Sequence, residues 1–304
     1  LYRNVGEMRF EDVTDRVGIN DTEYEDTHHA IFADVNNDGR LDLLIVHSLT
    51  ATRLYVQNDS GAFDDHTDAC GIHTVRGALA ASFFDYDNDG LLDLYIGHYG
   101  SQEREGKAPP TVDGRNGNRN QLYRNEGGGR FHDVSRAAGV DSGGWTLAVG
   151  ALDYNRDGRI DFYLANDWGA DQLFVNQGDG TFRDIGPEVD ARDRGSGMNV
   201  SMTDLDGDGR WDIYVSVIDL ETIPQNARLY VPVLYDRADL DTHIAGARLY
   251  LAGNKMLQDI DGRGFLPVEH ERFEPTETGW GWAALFFDYE NDGDEDMYLT
   301  NGWI

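Results

Sequence analysis

Apolar and polar positions alternate in short blocks along this 304-residue chain. A glycine-containing apolar run leads into an acidic turn, and a second apolar run follows it. The first runs are Gly77 to Phe84, Gly144 to Leu152, Gly197 to Thr203 and Gly279 to Phe287. The second include Leu41-Asp42-Leu43-Leu44-Ile45-Val46, Leu92-Asp93-Leu94-Tyr95-Ile96 and Trp211-Asp212-Ile213-Tyr214-Val215. Runs this short, bounded by Gly, Asn and Asp and rich in β-branched and aromatic residues, predict strands. A Leu-aromatic pair comes next and a Phe nine residues after its Leu: Leu54-Tyr55 with Phe63, Leu122-Tyr123 with Phe131, Leu173-Phe174 with Phe182, and Met256-Leu257 with Phe265. A short Asp-Val-Thr-like segment and a Gly-Ile/Val ending often close the unit, as in Asp133-Val134-Ser135 and Gly139-Val140. About four short strands per repeat is the sequence form of a propeller blade, so the expected fold is an all-β propeller of four-stranded blades.

The acidic turns recur five times, with first aspartates 51, 68, 51 and 84 residues apart. The two long intervals predict insertions, at about 101–118 and 219–253, inside a single domain spanning 1–304. The chain opens at Leu1-Tyr2-Arg3-Asn4, the second half of a unit, and ends just after the first half of another. Running from Asp288 to Ile304 and on from Leu1 to Asp34 gives 50 residues, close to the regular spacing. Five blades with a closing blade shared by the two ends are therefore expected. The alternative is part of a seven-bladed propeller.

Each turn reads Asp, any residue, Asp/Asn/Glu, any, Asp, Gly, any, any, Asp. Position one is Asp34, Asp85, Asp153, Asp204 and Asp288; position three is Asn36, Asp87, Asn155, Asp206 and Glu290. Position five is Asp38, Asp89, Asp157, Asp208 and Asp292; position nine is Asp42, Asp93, Asp161, Asp212 and Asp296. Short oxygen-bearing side chains at these positions can converge on one hard cation, with the backbone carbonyl of position seven (Arg40, Leu91, Arg159, Arg210, Asp294) as a further ligand. Without a cation the same carboxylates repel one another at close range. Up to five structural Ca²⁺ ions are expected. An EF-hand begins similarly but needs a bidentate Glu at position twelve; here that position is Ile45, Ile96, Leu164, Val215 and Leu299, each within an apolar run.

Acidic residues outnumber basic ones 56 to 25, for a net charge of −31. Eighteen of these acids sit at side-chain ligand positions of the five turns, and five Ca²⁺ would bring the charge to −21. The surplus argues against nucleic acid or an anionic membrane surface as partner, because both demand a basic footprint. Only two lysines, Lys107 and Lys255, accompany 23 arginines. No apolar run is long enough to span a membrane. Calcium at millimolar, extracellular levels suits loops of this kind, so an extracellular or periplasmic location is expected, with a leader not present in this chain. The single cysteine, Cys70, occupies a small-apolar slot filled by Val17 and Ala138 in sister repeats and is expected to be a buried structural thiol.

Candidate chemistry beyond the turns is thin. His28-His29, His47 and His98 fall at strand ends, where a structural role is the expectation, and no HExxH or G-x-S-x-G pattern occurs. Trp145, Trp280 and Trp282 precede acidic turns and are expected to pack between blades. Trp168, in Asn166-Asp167-Trp168-Gly169, aligns with His98-Tyr99-Gly100 and Asn301-Gly302-Trp303 and marks one rim as a recognition surface. The apolar stretch Leu229-Tyr230-Val231-Pro232-Val233-Leu234-Tyr235 makes the second insertion another candidate. Three glycosylation triplets, beginning at Asn20, Asn58 and Asn199, carry little weight.

The unit resembles the FG-GAP/VCBS repeat of integrin-α-type propellers, and in particular proteins related to cartilage acidic protein 1 (the ASPIC group). The likeness rests on Leu122-Tyr123-Arg124-Asn125 with Phe131-His132-Asp133-Val134, on Ser196-Gly197-Met198 before Asp204, and on Gly279-Trp280-Gly281-Trp282-Ala283-Ala284 before Asp288. It implies the propeller fold and the calcium, not an activity, because function sits in sites grafted on folds. The leading expectation is a calcium-binding, non-catalytic scaffold for adhesion or assembly, with another protein or a cell-surface glycan as partner, as a subunit of a larger assembly. The competing expectation is a polysaccharide-acting enzyme or carbohydrate-binding module that uses a propeller face.

Overall fold

The structure is a computed structural model that describes residues 1–19, 26–100, 115–192, 197–217, 253–268, 273, 275 and 281–301. Most of both insertions, Trp280, Trp303, the Leu229–Tyr235 stretch and the Asn20 triplet lie outside the described residues.

Four antiparallel four-stranded sheets follow one another along the chain. A two-stranded sheet, β1 (Tyr2–Asn4) with β2 (Phe10–Asp12), precedes them. Blade one is β3 (Thr27–Ala33), β4 (Asp42–His47), β5 (Arg53–Gln57) and β6 (Phe63–Asp65). Blade two is β7 (Ala78–Phe84), β8 (Asp93–His98), β9 (Gln121–Asn125) and β10 (Phe131–Asp133), followed by the one-turn helix α1 (Ser135–Ala138). Blade three is β11 (Thr146–Leu152), β12 (Asp161–Asn166), β13 (Gln172–Asn176) and β14 (Phe182–Asp184). Blade four is β15 (Gly197–Thr203), β16 (Asp212–Val217), β17 (Lys255–Asp259) and β18 (Phe265–Pro267). A second two-stranded sheet, β19 (Gly281–Phe287) with β20 (Asp296–Asn301), ends the series.

The predicted blade therefore forms, with first strands neighbouring in order: β3 by β7, β7 by β11, β11 by β15, β15 by β19. Second strands β4, β8, β12 and β16 are buried at every residue, which is why they read as continuous apolar runs. Every first strand carries a β-bulge near its start, between Thr27 and His29, Ala78 and Ala80, Thr146 and Ala148, Gly197 and Asn199, and Gly281 and Ala283. Nothing in the apolar pattern announces these bulges.

The Phe and the Gly that punctuate each unit join neighbouring blades. The Phe131 N–H donates to the Cys70 carbonyl, and the Phe63 N–H to the Val17 carbonyl, both at 2.7 Å. The glycine after each acceptor, Gly71 (φ 78°) and Gly18 (φ 81°), is left-handed, and a Cβ there would meet the Phe131 or Phe63 carbonyl oxygen at 2.4 or 3.0 Å. Cys70 itself is buried and free, as expected.

Among the described residues the expected closing blade is not made. β1–β2 and β19–β20 stand as separate two-stranded sheets, and no ladder joins β20 to β1 among the described residues. The physical consequence is visible in side chains that complete blades bury. Tyr2 is 68% exposed where Tyr55 and Tyr123 are 2% and 1%, and Tyr298 is 61% exposed where Tyr95, Tyr163 and Tyr214 are 0%.

Candidate metal centres in the acidic loops

Each nine-residue turn links the first strand of a blade to the second, so the acidic loops lie along one edge. The same register places them: Ala33 pairs with Asp42, Phe84 with Asp93, Leu152 with Asp161, Thr203 with Asp212 and Phe287 with Asp296. Within a loop the carboxylates first organise the backbone. Position one accepts the N–H of position five through Oδ1 in loops one, two, three and five, at 3.0–3.1 Å. Its Oδ2 accepts the glycine N–H in all five, at 2.7–2.9 Å. Position five accepts the N–H of position seven, at 2.8–3.0 Å. The bonds from position seven to position five are Asx turns, and with the longer-range bonds to position one they curl the loop around its carboxylates.

Position four is left-handed in every loop: Asn37, Asn88, Arg156 and Asn291 have φ of 57–60°, and Gly207 has φ 72°. Asn and Gly tolerate that conformation best. The side chains there also tie loop to loop. Asn37 donates to the Gly90 carbonyl (2.8 Å), Asn88 to the Gly158 carbonyl (3.3 Å) and Arg156 to the Asp208 carbonyl (3.1 Å).

Position nine is the buried anchor. Asp42, Asp93, Asp161 and Asp212 are at most 2% exposed. Oδ2 of each accepts the N–H of position two (Val35, Tyr86, Tyr154, Leu205), and Oδ1 accepts an N–H from the third strand (Gln57, Asn125, Asn176, Asp259). Each oxygen keeps a second lone pair for a cation. Burial pushes the Asp93 carboxyl up to about 7 and those of Asp161 and Asp212 to about 6, with neighbouring loop carboxylates adding to the rise. A bound cation would oppose that shift.

Three carboxylates converge in two of the loops. In Asp85-Asp87-Asp89 and in Asp204-Asp206-Asp208, one oxygen from each residue lies within 4.8 Å of the others. Oδ1 of Asp87 and Oδ1 of Asp204 are buried without a hydrogen-bond donor. All-oxygen donors with orphaned lone pairs fit a hard divalent cation. Loops one and three replace the middle carboxylate by Asn36 and Asn155, whose amide oxygens accept the Asp38 and Asp157 N–H groups at 3.0 Å. Loop five differs: Glu290 hydrogen-bonds with Asp296, which raises its carboxyl above the ordinary range. The longer arm thus reaches position nine rather than joining Asp288 and Asp292.

Sequence reasoning missed the residues that lock one blade to the next. The Asn125 amide donates to the Val35 carbonyl of the preceding blade's loop (2.8 Å) and to the Leu92 carbonyl (2.9 Å). Asn176 repeats this with the Tyr86 carbonyl (2.7 Å) and the Ile160 carbonyl (3.3 Å). The Asn of the Leu-aromatic-x-Asn phrase was the signal. In blade four the same strand position is Asp259, whose Oδ2 is buried without a donor.

The opposite edge carries the aromatic rim. Tyr99 stacks edge-on against Trp145 at 5.0 Å and donates to Oδ2 of Asp167 in the next blade at 2.7 Å. Trp145 is fully buried, Trp168 half-buried and Trp282 43% exposed. His47 is buried against Thr27 Oγ1 (3.3 Å) and Asp26 (3.8 Å). His98 is buried with neither ring nitrogen paired, and burial lowers its pKa to about 4. Both histidines end second strands, as the structural expectation had them.

No described helix is long and apolar enough to cross a membrane. Comparison with curated proteins gives no match. The model of the FG-GAP-like repeat matches residues 34–96, 112–164 and 153–215, together more than half of the chain, and each match spans from one acidic loop or the strands before it into a following second strand. With the blades and loops of the structure behind those matches, the chain belongs to the FG-GAP-like repeat family.

Proposed function

We propose that this protein is a calcium-stabilised, non-catalytic propeller scaffold that works outside the cytoplasm and binds another macromolecule, a protein or a cell-surface glycan. The observation that carries the reading is the convergence of Asp85, Asp87 and Asp89, and of Asp204, Asp206 and Asp208, with a buried orphan oxygen in each group. Loops two and four supply three carboxylates each plus Asp93 or Asp212; loops one and three supply an amide in place of one carboxylate. Ions here hold the edge where Asn37, Asn88 and Arg156 already link loop to loop, and so stiffen one blade against the next. At a free cation concentration ten times the dissociation constant, each site adds about 1.4 kcal/mol to stability. The rim at the other ends of the second strands is the recognition surface. Sugar stacking is not favoured over protein docking there, because the Trp145 ring is fully buried in the packing.

A thermal melt with metal analysis tests this. Protein as purified should carry several Ca²⁺ per chain, lose several degrees of melting temperature on chelation, and recover with Ca²⁺ but not Mg²⁺. No bound metal and an unchanged melt would sink the calcium reading and the location inferred from it.

A further inference from the structure

The fourth residue of each third strand stands beside its own blade's acidic loop, and it differs from blade to blade: Val56, Arg124, Val175 and Gln258. In blade four, Gln258 Nε2 donates to Oδ2 of Asp206 at 2.6 Å. In blade two, Arg124 reaches further. Its Nε lies 2.7 Å from Oδ2 of Asp87 and its Nη2 3.1 Å from Oδ2 of Asp89. Other arginines near the loops behave differently. Arg40 and Arg159 come from position seven, and each pairs with one loop carboxylate, Asp38 or Asp157. Arg210 approaches Asp208 at 4.0 Å and Asp259 at 3.6 Å. Among the described arginines, Arg124 is the one that bridges two ligand carboxylates of a single loop.

We propose that Arg124 is a resident counter-ion of loop two that competes with the cation and sets that loop's affinity apart from the others. The inference rests on the cation-binding reading above. The guanidinium neutralises Asp87 and Asp89 from the side, through their Oδ2 atoms. It leaves Oδ1 of Asp87 buried without a donor. A planar, delocalised cation suits this lateral pairing and cannot take the central place of a spherical ion. Cation entry therefore has to weaken two ion pairs that loops one and three do not hold, where the corresponding residue is valine. Loop two is rich in carboxylates, yet it binds its ion less tightly than its acid count alone implies. Its occupancy is also the most sensitive to salt, since the Arg124 side chain is 46% exposed.

Calcium titration calorimetry on the whole chain tests this, with wild type, Arg124→Val, Arg124→Gln and Arg124→Val combined with Asp85→Asn. Arg124→Val should tighten one class of site about tenfold, as expected for removing one positive charge a few ångströms from a divalent ion near the surface. Adding Asp85→Asn should abolish that gain. Arg124→Gln, which keeps the stem and a polar head, should show the same direction and guards against a packing artefact. Calcium uptake by wild type with unchanged affinities in both Arg124 variants would overturn the role of Arg124 and leave the calcium scaffold standing. Absence of uptake by wild type and every variant would remove both.

Discussion

Asp259→Asn should stabilise this protein. Asp259 ends β17 at the position where β9 and β13 end in Asn125 and Asn176, and its backbone N–H makes the same bond to the position-nine aspartate (2.7 Å to Asp212, against 2.8 Å in both sister blades). Its Oδ1 accepts the Gly262 N–H at 2.7 Å, matching the bonds from Gly127 and Gly178 to the Asn side chains. Oδ2 therefore stands where Asn125 and Asn176 present an NH₂ to the previous blade's loop carbonyl, and it finds no donor. An orphaned buried acceptor costs about 1–3 kcal/mol, and a regained hydrogen bond contributes about 0.5–1.5 kcal/mol. Against that stands the loss of Arg210 at 3.6 Å, a pair whose aspartate is 1% and whose arginine is 25% exposed; the arginine keeps water and Asp208 at 4.0 Å, so the loss is about 1 kcal/mol. The net expectation is a gain of about 1–2 kcal/mol, or about 2–4 °C in melting temperature.

Urea unfolding followed by circular dichroism at pH 8, with calcium held fixed, measures the gain. The converse changes, Asn125→Asp and Asn176→Asp, should each cost a similar amount. The gain also depends on pH. Burial raises the Asp259 carboxyl above its ordinary 3.8, so the folded wild type takes up a proton before the unfolded chain does and gains stability as pH falls through that raised value. A protonated Asp259 can itself donate, so the advantage of Asp259→Asn should be full at pH 8 and shrink in acid. An Asp259→Asn protein no more stable than wild type at pH 8, alongside clear losses from the two converse variants, would refute the reasoning.

Two further outcomes follow from the loops and the blade joints. In chelated protein, the carboxyls of Asp93 (about 7), Asp161 and Asp212 (about 6) bind protons that the unfolded chain releases near 3.8, so stability should fall as pH rises from about 5 to 7; His98, at about 4 against 6.5, and His29, lowered by burial, oppose this, and saturating Ca²⁺ should flatten the slope. Chelated melts at pH 5.5 and 7.5 check it, and a higher melting temperature at pH 7.5 would contradict it. Gly71→Ala should cost about 3 kcal/mol, because a left-handed alanine is strained and its Cβ would lie 2.4 Å from the Phe131 carbonyl oxygen, whereas Gly39→Ala, with φ 85° but open space, should cost about 1 kcal/mol by denaturant titration.

Most of the fold was legible because its determinants are local. Each acidic turn sits between two strands that it joins directly, so spacing alone placed the first and second strands of every blade. Leu-aromatic pairs and the following Phe gave the third and fourth. Closure was not legible: whether β20 meets β1 is decided by how four blade interfaces accumulate, and no window of sequence contains that information. The ligand loops were legible as a donor list but not as a structure. That position nine is first a buried tie for two backbone N–H groups depends on its own loop and on a third strand up to 47 residues on, and that Asn37 and Asn88 rope the loops together depends on contacts 53 and 70 residues away. Glu290 is the one position-three carboxylate with a longer arm, and the reach to Asp296 is the form that its length takes. Arg124 was quoted as part of a repeat phrase, with no sign that its neighbours would be Asp87 and Asp89.

The wholly buried second strands have a mechanical consequence. Each begins at a position-nine aspartate on the acidic edge and ends at His47, His98, Asn166 or Val217 on the opposite edge, where the chain also leaves for both insertions. Six extended residues make a strut of about 17–20 Å, clamped along its length by the flanking strands. A strut held in this way moves as a unit, so the register that fixes its position-nine aspartate in the acidic loop also fixes where its last residue stands on the rim.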